Sequence, residues 1–467
     1  MIFQTAETKN SFFSKKSKFQ RKTSKKNVPV FFWINIFFLS FLIFSCTTMA
    51  DFDFSSIDYN VERGNFNLAS EELESSSTYI YSNNDLLLYN LDKGILSHFD
   101  SEFKESNISL TKAEKLCVEY AATSITQSIA SAVTNDTVMD YSGEAFEDIY
   151  TNIFMALNYI HLGNIEDAMV EVRRFDNKLR ILEQKYEKFV EETDSSSEVK
   201  VQKVSIQFSD SALARYLSML LYRAEKDFGN AEVDLKLLKK AFAKQKSLYD
   251  FKIPSTIDEE LNIPKGKARL NIIAFSGNAP VKKEEVIRAY WSSDVWYKLA
   301  LPVMEKRGSD INSISVTAKN FSTGKIYSRK LEKIESIENI ALDTFKQSYS
   351  LIYAKSLARS IARAISNSTV SSITQSLADK SETLGGMLLF SLIDISSKVA
   401  TELVERADVR CSRYFPANAS VCGLNVEEGN YEITVNYYTG NRLIHCQTQN
   451  ISIEENKLNL VESACLR

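Results

Sequence analysis

The stretch Thr134 to Tyr150, TNDTVMDYSGEAFEDIY, gathers carboxylates, an amide and tyrosines in a short span. Its members Asn135, Asp136, Asp140, Tyr141 and Glu144 could work as an acid and base pair if the fold turned two carboxyl groups into one cleft. The same residue types have a simpler use, because Asp and Ser cap helix N-termini and a Glu in the first turn opposes the helix dipole. Helical spacing begins directly after Glu144, so capping is the leading expectation. Asn135, Asp136, Tyr141 and Glu144 are then candidates for an interaction surface, not for catalysis.

A second constellation is basic. Lys355, Arg359 and Arg363 recur every four residues beside Leu357, Ile361 and Ile365, which puts the charges on one helical face. Such a strip suits an anionic lipid or an acidic partner, and equally an ordinary solvated helix face. Metal chemistry is not expected: His98, His161 and His445 lie far apart, and no two cysteines have zinc-knuckle spacing. No glycine-rich phosphate loop, nucleophile elbow or paired-histidine motif is present in the sequence, so no cofactor is expected.

Cys46 carries a different kind of chemistry. A basic segment precedes an apolar run from Val28 to Phe44, and the run stops at Leu42-Ile43-Phe44-Ser45-Cys46. This is the layout of an export signal. The break resembles the lipobox of bacterial lipoproteins, which implies acylation of Cys46, with the lipid replacing residues 1–45 as anchor. Thr47, in place of an aspartate, implies the outer membrane, facing the periplasm. The 17-residue run, polar only at Asn35 and Ser40, also reaches the lower limit for a bilayer span, so a retained anchor stays open.

Charge changes sharply at this point. Residues 1–45 hold eight Lys and Arg against Glu7, a net of +7, whereas the remaining chain holds 48 basic and 59 acidic residues, a net of -11. So acidic a body is a poor wrapper of nucleic acid phosphates. Export would also permit disulfides among Cys411, Cys422, Cys446 and Cys465, in any of three pairings, with Cys117 apart.

Periodicity predicts an α+β chain: 1–45 a signal segment, 46–250 helical, and 251–467 strand-bearing with a helical insertion at about 337–406. In the first half, GNFNLA at Gly64 and GNIEDA at Gly163 share a frame, SEFKES at Ser101 keeps its pattern, and GNAEVD at Gly229 keeps its beginning. Their spacings of 37, 62 and 66 residues approach one and then two units of a tetratricopeptide-type repeat. Phe146, Ile149, Tyr150, Ile153, Leu157 and Ile160 form one apolar stripe, and Ile165, Met169, Val172, Phe175, Leu179 and Leu182 its partner, which predicts an antiparallel hairpin. Leu213 to Phe242 predicts another, and the serine-rich, charged stretch from Glu191 to Lys203 reads as a loop.

In the second half, Ala268 to Gly277, Ile311 to Asn320, Lys325 to Ile334 and the hairpin around Thr439-Gly440-Asn441 read as strands of a small antiparallel β-sandwich or sheet. The apolar run Gly385 to Val404 is broken every four residues by Asp394, Lys398 and Glu402, which makes it an amphipathic core helix and not a second span.

Three segments, Leu86 to Leu116, Ser131 to Arg174 and Ala407 to Asn418 (ADVRCSRYFPAN), resemble a family of bacterial envelope lipoproteins of unknown function. The resemblance implies a tetratricopeptide-like first half and a C-terminal part with strands, and no assigned activity. A lipid-anchored, non-enzymatic envelope scaffold that holds a protein partner follows from these readings. The alternatives are an enzyme acting on envelope polymers, which needs a deep cleft with two facing carboxylates, and a lipid- or cell-wall-binding module using the Lys355, Arg359 and Arg363 strip.

Overall fold

A computed structural model describes residues 52–126, 139–196, 207–290, 296–346, 349, 352, 353, 356 and 406–467. All of these belong to one compact unit, Thr47–Arg467. Among the described residues, the first half forms eight α-helices: α1 (Ser55–Glu62), α2 (Phe66–Ile80), α3 (Leu86–Phe99), α4 (Phe103–Thr126), α5 (Ala145–His161), α6 (Ile165–Ser196), α7 (Ala212–Ala224) and α8 (Phe228–Lys244). They pair in sequence as four hairpins. No described helix is long and apolar enough to cross a membrane.

The four hairpins share one turn. At each, a residue in the left-handed region follows the last helical turn: Gly64 (φ 75°), Ser101 (φ 66°), Gly163 (φ 75°) and Lys226 (φ 61°). The next N–H then reaches back five residues, as Asn65 to Asn60, Glu102 to Ser97, Asn164 to Tyr159 and Asp227 to Tyr222, at 2.8 to 2.9 Å. This satisfies the orphan carbonyls of the first helix and redirects the chain into the second. The fourth turn therefore lies at Lys226, not at the expected Gly229, which sits inside α8. The two stripes predicted for 146–182 pack together as α5 and α6. The expected loop at Glu191 begins as helix, since α6 continues to Ser196; no glycine or proline interrupts it, and charge alone does not stop a helix.

The second half supplies nine strands: β1 (Ala268–Asn278), β2 (Val281–Tyr290), β3 (Trp296–Glu305), β4 (Ser313–Asn320), β5 (Ile326–Ser336), β6 (Pro416–Val426), β7 (Gly429–Thr439), β8 (Arg442–Ile453) and β9 (Asn459–Cys465). Seven of them form a single sheet in the order β8-β7-β4-β5-β6-β1-β9, and β2 and β3 form a separate hairpin. One sheet therefore takes the place of a two-layered sandwich, and it is mixed, because β1 pairs antiparallel with β6 but parallel with β9. It curls so that its two edges meet: Gln449 Nε2 donates to the Glu462 carbonyl at 3.1 Å, and Gln447 Oε1 accepts from Ser463 Oγ at 2.8 Å.

Alternation along β1 explains the architecture. Leu270, Ile272 and Ala274 point into the curled sheet, where Val316, Leu424, Ile433 and Val435 complete an inner core. Ile273 and Phe275 point the other way and join the helical core. Phe275 lies 5.4 Å from the Phe154 ring of α5, which lies 5.7 Å from Phe415. Residues on both sides of the expected boundary at 250 thus share one core. Residues 337–346 are helical, and Ile337, Ile340, Ala341 and Phe345 enter the same core; most of the expected insertion, including Gly385 to Val404, lies outside the described residues.

The turn geometry sets a test. Gly163→Ala places a Cβ in open space, so only the left-handed backbone resists it, and a loss of about 1–2 kcal/mol is expected in denaturant titration. Lys226→Gly relieves the same strain and gains up to about 1 kcal/mol. Equal and small effects at both positions would mean that the turns do not hold this geometry.

Candidate functional site

The segments around Asp92, Glu147 and Ser412 meet in one place. Residues 406–415 run without regular structure from the edge of the helical core into β6. Lacking a strand partner, their backbone donors need acceptors, since a buried N–H left unpaired is costly. Side-chain carboxylates provide them. Glu147 Oε1, from the first turn of α5, accepts from the Ser412 N–H at 2.6 Å, and Asp92 Oδ1, from the middle of α3, accepts from the Arg413 N–H at 2.9 Å and from Ser412 Oγ at 2.6 Å.

Each carboxylate is held in turn. Glu147 also accepts from Tyr141 Oη at 2.7 Å and from its own helix's N-cap N–H, Glu144, at 2.8 Å. Asp92 accepts from Tyr81 Oη at 2.8 Å. Arg410 pairs with Asp85 at 3.0 Å and with Asp408 at 2.8 Å, and Arg413 pairs with Asp58 at 2.5 Å. The Tyr141 ring lies between two cations, 5.3 Å from Arg410 and 5.6 Å from Lys282, while Lys282 Nζ reaches Glu144 at 2.6 Å. Asp92 and Glu147 are both fully buried.

Burial pushes the Asp92 carboxyl up to about 6, even against its three donors. Burial, with the nearby Glu144, pushes Glu147 up to about 7. Both are buried carboxyls with raised proton affinity, the kind of group that an enzyme's acid or base can be. Here, however, both are sealed from solvent and their oxygens already serve the backbone of Ser412 and Arg413. The arrangement can hold a chain segment in place and respond to protons.

Three further carboxylates repeat the pattern where helices meet sheet. Glu335 on β5 accepts from Ser211 Oγ at 2.6 Å, the Leu213 N–H at 3.0 Å, Tyr249 Oη at 2.8 Å, and Tyr150 Oη. It thus sits at the N-terminus of α7, where a negative charge is favoured. Glu260 pairs with Arg223 of α7 at 2.6 Å and with Arg269 of β1 at 2.7 Å. Glu462 on β9 meets His98 at 2.5 Å and His161 at 3.0 Å. Burial alone would push the Glu462 carboxyl up, but the two imidazoles overcome it and hold it down to about 2.

Of the residues singled out in the sequence, Tyr141 is buried rather than at a surface, and Glu144 is half-buried beside Lys282. Both serve the helix start and the clamp. Cys46, Asn135, Asp136, Lys355, Arg359 and Arg363 lie outside the described residues. Asp92, Glu147, Ser412 and Arg413 were not legible as a group, although each lies in one of the three segments singled out in the sequence, and Asp92, followed by Lys93, puts a charge into the apolar run LLLYNLDKGIL. Cys117, Cys411, Cys422, Cys446 and Cys465 are free thiols, Cys446 exposed and the others buried. The described residues contain no cluster of three or more His, Cys, Asp or Glu able to hold a metal ion.

A carboxyl raised in the folded state binds its proton more tightly folded than unfolded, so its stabilising effect is complete below the ordinary values of 3.8 and 4.5 and is lost as pH rises through about 6 and 7. Guanidinium midpoints should therefore fall between pH 4.5 and 7, and Glu147→Gln should flatten part of that slope; an unchanged slope would contradict the assignment. Ser412→Ala removes a buried hydrogen bond to a carboxylate and should cost about 1.5–3 kcal/mol. No protein-family model, curated protein or solved structure matches the chain.

Proposed function

We propose that the protein is a lipid-anchored scaffold of a bacterial envelope, held to the outer membrane through Cys46 and using its helical hairpins to bind an envelope protein. The observation that carries this reading is the fourfold use of one turn geometry at Gly64, Ser101, Gly163 and Lys226. Arrays of paired helices of this tetratricopeptide-like kind present broad surfaces suited to partners. Their outer faces carry anchors for one: Tyr79 and Leu68 of α2 and Ile108 and Val118 of α4 are 50% to 69% exposed. The engagement of Asp92 and Glu147 inside the clamp supports a binding role over hydrolysis of an envelope polymer.

Two measurements test the reading. Intact mass of the membrane-extracted protein should show residues 1–45 missing and an acylated Cys46; a retained leader would refute the anchor. Crosslinking and pull-down of the full chain from its own membranes should recover one stable partner, and Tyr79→Glu with Val118→Glu should lose it without changing the fold. Recovery of no partner, or of the same partner by the double variant, would refute the scaffold.

A further inference from the structure

A cavity of about 370 Å³ lies where α1, the end of β1, the β2–β3 hairpin and the loop after β3 converge. Its lining is almost wholly polar, with Val281 the one apolar side chain. Arg307 is the feature that needs explaining. Its guanidinium is fixed by neutral groups, with Nε donating to the Ala279 carbonyl at 2.9 Å and Nη2 donating to the Arg413 carbonyl. Among the described residues no carboxylate forms an ion pair with it. Its neighbour Arg413 takes Asp58, at 2.5 Å, so two guanidinium groups share one anion. Burial, reinforced by Arg413, pushes Arg307 down to about 10, the mark of a cation short of a counter-charge.

The rest of the lining narrows what could supply it. Lys283 is paired with Glu305 at 2.5 Å and Lys306 with Glu338 at 3.0 Å, so these charges are spent within the protein. Glu62, one helical turn after Asp58 on α1, lines the same cavity, is exposed, and has no ion pair among the described residues. Arg467, which also lines the cavity, stands 3.9 Å from Asp310; outside these pairs, Arg307 and Glu62 are the charged side chains of the lining with no ion pair among the described residues. At Gly308, with φ 76°, a Cβ would meet nothing within 4 Å, so the loop beside Arg307 leaves the space open.

We propose that this cavity binds a zwitterion with adjoining carboxylate and ammonium groups, that is, an amino acid or the end of a short peptide. The carboxylate pairs with Arg307, whose planar fork suits it, and the ammonium faces Glu62. With so little apolar lining the affinity is electrostatic and falls with added salt. The site shares α1 with the first hairpin but none of the exposed anchors on α2 and α4, and it does not depend on the scaffold reading.

Saturation-transfer NMR and calorimetry on the full chain test this with L-alanine, L-alanyl-L-alanine, and the N-acetylated and C-amidated forms of each. The zwitterions should bind, and blocking either end should weaken binding by about tenfold or more, as expected for the loss of one charged pair. Glu62→Gln, at an exposed position, should reduce the zwitterion to the level of the acetylated form, and Arg307→Met should erase the difference between free and amidated carboxyl. Arg307→Lys keeps the charge and guards against misfolding; it should retain a reduced preference for the free carboxylate. Tighter binding of the dipeptide identifies a peptide end, and equal binding a free amino acid. Absence of binding by either zwitterion, equal binding of the blocked forms, or indifference to both Glu62→Gln and Arg307→Met would overturn the proposal.

Discussion

The pair of carboxylates that grips Ser412 and Arg413 is the interaction on which the rest of this structure depends. The segment enters from the helical side, has no strand to pair with, and must still deliver β6 into register beside β1. Asp92 and Glu147 substitute for a strand partner. An isolated buried carboxylate would cost several kcal/mol, and it is tolerable only when donors converge on it. Here three donors aim at each. Removing any one donor would leave a buried charge short of partners, which is more damaging than the net value of the bond itself.

The same device recurs at Glu335, Glu260 and Glu462, each joining an element of the helical half to the strand-bearing half. Hydrophobic contact supplies most of the driving force, through Phe154, Phe275, Phe415 and their neighbours. Apolar packing is tolerant of small shifts, however, whereas a buried carboxylate with fixed donors is not. The welds thus fix how the hairpins sit on the sheet.

Much of the fold was legible in the sequence, and the failures have identifiable causes. The α5 and α6 stripes, β1, β4, β5 and the β7–β8 hairpin follow from period alone. β6 and β9 did not, because β6 is buried on both faces and built from small residues such as Ala417, Ala419, Ser420 and Gly423, so it shows no alternation. The Lys226 turn was missed because a lysine in the left-handed region has no sequence signature, while nearby Gly229 suggested one falsely. The site was less legible than the fold. Tyr141 and Glu144 stand at the start of α5 and donate to Glu147, but Ser412, the other donor to Glu147, lies some 265 residues away, and only the folded chain brings them together.

Native-state hydrogen exchange at the Ser412 and Arg413 amides tests the central claim most directly. If the carboxylate clamp joins helices and sheet into one body, these two amides exchange only with global unfolding, at the same free energy as Ile273 and Val421 in the middle of the sheet. Exchange at a clearly lower free energy, through local opening that leaves β1 and β6 protected, would show that the segment is merely laid against the helices, and the account would fail.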